Sequence, residues 1–467
     1  MTAALEPVLK RIDEDFDNSV ARLCELLRIK SIGTDPAYDE ETRRAAQWCA
    51  DQFKEMGFDS AVRNTPGQPM VVAHYTPPDA TDRTPRVMYY GHYDVQPPDP
   101  LELWDSDPFE PTIVEAEHGK RIVARGANDD KGQFMTFVSA FRAWTDVHGS
   151  LPVKIIVFLE GEEESASPSL EPFLEANQEE LAADICIVSD SEAWSIETPA
   201  ITYMLRGMVF IDVTLKGPAM DLHSGMYGGG VVNPNNALAR ILGELHDENG
   251  LIQIPGMYDD VRELSEAEAK AWENLGFDDA GFLGGIGLKE STGEKGRTLL
   301  QRLWSRPTCD VNGMWGGYIG QGAKTVIPAE AHAKISCRLV PDQDPEKIYN
   351  GLVKFLKDRT PPDCTWEIEC HGKNPAIRVP TESPYLEAAL KGLRATFDNP
   401  PVLIGCGGSI PVVGSFQRIL GFDSLLAGFG LEDDRIHSPN EKFELKCYHN
   451  GIRSQAAMMH SLAELAQ

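Results

Sequence analysis

His92 and Asp94 close the apolar run RVMYYG, and the two-residue repeat of a strand points both side chains to one face. A carboxylate so placed can orient the imidazole and leave its other nitrogen for a metal. Asp129 and Asp130 follow in RGANDDKG, where a helical pattern begins and its positive end favours carboxylates. Glu160, Glu162, Glu163 and Glu164 crowd the end of the next apolar run, PVKIIVFLEGEEE. Like charges gathered there repel, unless a cation neutralises them or a raised pKa suits one of them to general-base work. Asp190 ends a further run, ADICIVSD, and His437 follows FDSLLAGF in the segment DRIHSPNEK.

Each segment alone has an ordinary reading: a structural His–Asp pair, an acidic helix cap, a solvated charge run. Together, successive strands leave a His or a carboxylate at their C-terminal ends, the edge where open α/β sheets bind ligands. Two histidines with several carboxylates suit zinc, and manganese or cobalt match on ligand type. Competing chemistries fit poorly. GQGAKT at 320–325 has Ala323 where a phosphate loop needs its lysine, which argues against nucleotide binding. No GxSxG elbow occurs and Ser409 has no evident base. The nine cysteines are scattered without CxxC spacing, so Cys406 and the rest read as reduced thiols with no catalytic role. His223, in DLHSGMYGGG, reads on its own as a loop histidine.

The elements that must position these groups alternate between strands and helices up to about residue 205, which predicts an α/β domain with a mixed, mostly parallel sheet. Phe134, Phe137, Val138, Phe141 and Trp144 recur at helical spacing and should pack a helix onto that sheet. A chain of 467 residues exceeds what one core sustains, so two domains are expected. From Gly207 the pattern changes to MVFIDVTLKGP, a half-exposed strand, followed by a helix near 233–248 and a Gly-rich, poorly patterned stretch over 250–325. The strand EAHAKISCRLV, a helix from about Asp344 and the strand CTWEIEC complete an α+β unit. A helix (385–397), a strand and a last helix (444–466) then return to the first style. The predicted boundaries are 1–206 with 384–467, interrupted by 207–383.

The formal charge of −29 disfavours nucleic acid and anionic membrane surfaces as partners. The N-terminal segment reads as an amphipathic helix without the apolar core of a signal peptide, and no run reaches the roughly 18 apolar residues of a membrane span. A soluble, cytoplasmic protein is expected.

The segments GHYDVQPP, RGANDDKG, EGEEES, VSDSEAW, DLHSG, GGSIP and IHSPNEK together resemble the zinc-dependent dipeptidase, aminoacylase and carboxypeptidase family, in its carnosinase-like, nonspecific dipeptidase branch. The resemblance spans nearly the whole chain and implies a di-zinc catalytic domain with an inserted lid that also builds a homodimer. It implies His92 and Asp190 on one zinc, Glu164 and His437 on the other, Asp129 bridging both, and a cis peptide before Asp130. Asp94 would orient His92. Two metals roughly 3.5–4 Å apart can share a water and lower its pKa. Glu163 would be the general base for that nucleophile, and His223 of the partner subunit would steady the oxyanion. Arg338, with Gly408 and Ser409, would hold the terminal carboxylate of the substrate. By the resemblance, an aspartate at 190 goes with dipeptidases and aminopeptidases, and a glutamate with deacylases and carboxypeptidases. Those two activities, and a noncatalytic metal-binding relative, are the alternatives; an intact Glu163 counts against the last.

Overall fold

The computed structural model describes residues 4–408 and 410–466. These fall into two compact units, one formed by residues up to 203 with 379–404 and 411–466, the other by 204–378 with 405–408 and 410. The short segment 405–408 thus groups with the inserted unit, although the sequence pattern assigns it to the flanking one.

The first unit is built on a mixed sheet. Seven of its strands lie in the order Asp59–Arg63, Met70–Tyr75, Lys154–Glu160, Arg86–His92, Ile185–Val188, Ser424–Leu426 and Ala200–Leu205. The middle four run parallel, and the flanking pairings are antiparallel. The parallel strands are apolar and buried on both faces, as sheets covered by helices require. Helix Lys131–His148 lies against strand Arg86–His92 and the C-terminal helix Leu445–Ala463. The five residues of its predicted stripe are all buried, with Phe141 edge-on to Tyr89. The N-terminal region forms two helices, Glu6–Glu14 and Phe16–Leu27, where the sequence suggested one. Asp15 leaves helical geometry at the break, and its carboxylate takes hydrogen bonds from Asn18 and Arg22.

The second unit is α+β. Its four-stranded antiparallel sheet runs Thr308–Gly316, Glu330–Leu339, Gly207–Lys216, Thr365–Asn374. Along Gly207–Lys216 alternate residues are buried, and Val209, Ile211, Val213 and Leu215 pack with Leu238, Ile241, Leu352 and Phe355 of helices Pro234–Gly243 and Pro345–Asp358. The other face is half-exposed. The stretch expected to lack pattern holds three short helices and the edge strand Thr308–Gly316. Among the described residues no helix is long and apolar enough to cross a membrane.

Candidate metal centre

Parallel neighbours end at the same edge of a sheet, so strands Lys154–Glu160, Arg86–His92 and Ile185–Val188 bring the segments beyond their C-termini together. His92 ends its strand fully buried. Its Nδ1 lies 3.1 Å from the main-chain oxygen of Asp94 and 3.4 Å from Asp94 Oδ1, which fixes the ring with Nδ1 as the donor. Nε2 is buried without a hydrogen-bond partner, 3.0 Å from Asp129 Oδ1 and 4.0 Å from Asp190 Oδ2. The orienting contact with hydrogen-bond geometry is thus the carbonyl of Asp94. Its carboxylate Oδ2 instead accepts the Glu164 N–H at 3.1 Å, tying the two strand ends together.

Asp129 precedes helix Lys131–His148 across a cis peptide to Asp130. Its other oxygen, Oδ2, lies 2.9 Å from His437 Nε2, which is also 3.3 Å from Glu164 Oε2. His437 sits at φ 62°, a left-handed position that histidine tolerates better than most side chains. Two sets of side chains, His92 with Asp129 and Asp190, and Asp129 with Glu164 and His437, therefore each gather their ligand atoms within 4.8 Å, and Asp129 belongs to both.

The four glutamates divide by environment. Glu160 accepts the Tyr90 hydroxyl at 2.7 Å, and Glu162 accepts the backbone N–H groups of Gln68 and Ser169 at 2.9 and 3.0 Å, so both brace the fold. Glu164 receives the Gln96 amide at 2.8 Å and turns to His437. No hydrogen bond reaches the Glu163 carboxylate among the described residues.

The electrostatics call for a cation. Burial, reinforced by Asp129, pushes the Asp190 carboxyl up to about 7, and burial with Asp190 and Glu164 nearby pushes Glu163 well above its usual range. Burial acts the same way on Asp129, but the hydrogen bond from His437 and the imidazole of His92 close by reverse it and hold that carboxyl low. Beside Asp129 and Glu164, His437 is pushed up to about 10. Imidazolium is then the only positive charge the cluster supplies for itself. Two imidazoles, one with a buried unpartnered nitrogen, among carboxylates that repel one another fit divalent metal ions of borderline softness.

Two supports lay in quoted segments without being singled out. Glu441, fully buried, accepts the N–H groups of Asn128 and Asp129 on one oxygen at 2.9 and 3.0 Å. Its other oxygen accepts Gly126 N–H and the Arg125 guanidinium at 3.0 and 2.7 Å. Gln96 is the second, through Glu164. In the second unit, exposed His223 accepts the Gly225 N–H on Nδ1 at 3.0 Å. Arg338 lies on the half-exposed sheet face, and the oxygen of Gly408 accepts the Arg206 N–H at 2.9 Å. Ser409 lies outside the described residues.

Residues 88–461 match the model of peptidase family M20/M25/M40. The chain belongs to this family. A Cys-Gly metallodipeptidase of Schizosaccharomyces pombe is 30% identical over 100% of both chains. A human Beta-Ala-His dipeptidase is 31% identical over 99% of this chain and 94% of its own. The crystal structure of human carnosine dipeptidase 1 superposes with a TM-score of 0.83 at 28% identity, covering 99% of this chain and 100% of the other. An M20 metallo-carboxypeptidase from Sulfolobus solfataricus gives 0.83 at 31% identity, over 96% and 99%. This M20 protein is accordingly a metal-dependent peptidase, and the His and carboxylate cluster that could hold a metal ion sits where the parallel strands of the sheet end.

Proposed function

We propose that this metallodipeptidase holds two zinc ions, one on His92 and Asp190 and one on Glu164 and His437, with Asp129 shared. The observation that carries this is the sharing itself: one carboxylate has an oxygen in each of two ligand sets. Manganese or cobalt would suit the same donors. Divalent ions bound there polarise the scissile carbonyl and make a water acidic enough to lose its proton near neutral pH. Glu163 takes that proton and passes it to the leaving amine. That no hydrogen bond reaches it among the described residues, against the engaged Glu160, Glu162 and Glu164, supports that division of labour. Asp94 holds His92 through its carbonyl and Glu164 through its carboxylate.

At the other end of the substrate, Arg338 and Gly408 take the carboxylate, with Ser409 as a third contact, so that a free amine and a free carboxylate are both read. Kinetics separate this from deacylation. A free dipeptide should show the higher kcat/KM against its N-acetylated form, and a clear preference for the acetylated compound would make the protein a deacylase.

The second unit serves as lid and dimer interface, and His223 of the partner subunit supports the oxygen that gains charge. Strand Thr308–Gly316 is an unpaired sheet edge with Val311, Met314 and Trp315 exposed, followed by exposed Tyr318 and Ile319, a surface suited to a second copy. Dimers reassembled from His223→Ala and Glu163→Gln chains should regain one complete site. Inactive verified heterodimers would exclude a shared site. A cytoplasmic location accords with nine cysteines none of which forms a disulfide among the described residues.

A further inference from the structure

Arg206 lies just before strand Gly207–Lys216, two residues ahead of the rung on which Met208, Arg338 and Thr308 stand side by side. Diagonal neighbours two positions apart on adjacent strands are within reach of long side chains. The residue is only 5% exposed. One nitrogen, Nη2, donates to the main-chain oxygens of Arg302 and Arg306. Nε is buried with no partner, and no carboxylate among the described residues is within ion-pair distance. By contrast, the neighbouring buried Arg306 is paired with Glu294 and Glu263. Arg206 also lines a cavity of about 440 Å³ together with Thr308 and Asp310, and its own N–H carries Gly408.

A buried guanidinium without a counter-ion is costly, and one near a second arginine more so. Burial first and then the charge of Arg338, offset only in part by Asp310 in the cavity wall, bring its pKa down to about 10, which is the mark of that cost. Such an arrangement becomes favourable when an anion arrives.

We propose that Arg206 is a second guanidinium of the substrate-carboxylate site, acting with Arg338 on the C-terminal carboxylate of the dipeptide. This rests on the assignment of Arg338 and Gly408 to that carboxylate. Arg338 meets the anion from the half-exposed sheet face, while Arg206 supplies the buried charge beneath and holds Gly408 through its main chain. The cavity wall at Thr308 joins the two, since Thr308 is the strand neighbour of Arg338.

The test compares alanyl-glycine with alanyl-glycinamide, which differ only in that charge, on zinc-loaded protein. Wild type should favour the acid in kcat/KM. A hydrogen bond to a charged group contributes about 1.5–3 kcal/mol, so Arg206→Gln should cut the acid-to-amide ratio by about 10- to 100-fold, mainly through KM. Gln can still donate to the two carbonyls, so a purely structural role would lower both substrates together and keep the ratio. Arg206→Lys retains the charge and should recover much of the ratio. Because Lys lacks the planar fork, that recovery should stay incomplete, with KM for the acid still raised; if the Gln variant does not fold, a Lys variant with fully wild-type ratio and KM would overturn the proposal. A ratio lost in Arg338→Gln but kept in Arg206→Gln would overturn the proposal and leave the carboxylate site intact. A wild type indifferent to the amide would overturn both.

Discussion

Glu163→Gln should keep its metal and lose about 10²–10⁴-fold in kcat, the range that general-base catalysis contributes. Gln has the same shape and can still hydrogen-bond a water, but it cannot take a proton. The carboxylate it replaces is held by no hydrogen bond among the described residues, so the fold loses nothing that it braced. Its neighbour behaves differently. Glu164 is 3.3 Å from His437 Nε2 and anchored by Gln96, so Glu164→Gln should loosen the ion itself. The loss of affinity should exceed the about 10- to 100-fold that removing an outer-shell partner costs. Metal content and turnover measured on both variants give a crossed pattern, and the reverse pattern would exchange the two roles.

That pair also shows where the sequence is informative and where it stops. An apolar strand ending in His or a carboxylate is a local signal, which is why His92, Asp190 and the glutamate cluster can be placed at one sheet edge before any coordinates. Which glutamate does what is not local. Glu160 is spoken for by Tyr90 and Glu162 by Gln68, both partners from distant strands or loops. Glu441 supports Asp129 from 312 positions away, and no spacing rule connects them. His437 enters as a ligand candidate from the residues, but its place on one particular zinc and the roles of His223 and Arg338 came only from the resemblance, because a loop histidine at φ 62° and a strand arginine carry no periodic signature.

The 250–325 stretch divides in the same way. Helices Glu266–Glu273 and Leu299–Trp304 each begin with a capping box, Ser265 with Glu268 and Thr298 with Gln301, a spacing that is readable in sequence. Strand Thr308–Gly316 is not, since an edge strand largely exposed on both faces and irregular between Val311 and Gly313 has no alternation to read.

Removing the metal should have the largest effect of all. Without it the cluster must hold Asp129, Asp190, Glu163 and Glu164 together with two imidazoles as their only internal counter-charge, and nothing remains to polarise a carbonyl or acidify a water. Protein stripped by a chelator should therefore lose dipeptide hydrolysis while keeping its fold. Because Asp129 has one oxygen in each ligand set, both ions should be needed for full rate. The decisive measurement is a zinc titration of stripped protein, following bound metal and turnover of a free dipeptide in the same samples. The account predicts no turnover at the start and a plateau at about two zinc ions per chain. Full hydrolysis by rigorously metal-free protein, or a plateau at a single ion, would contradict it.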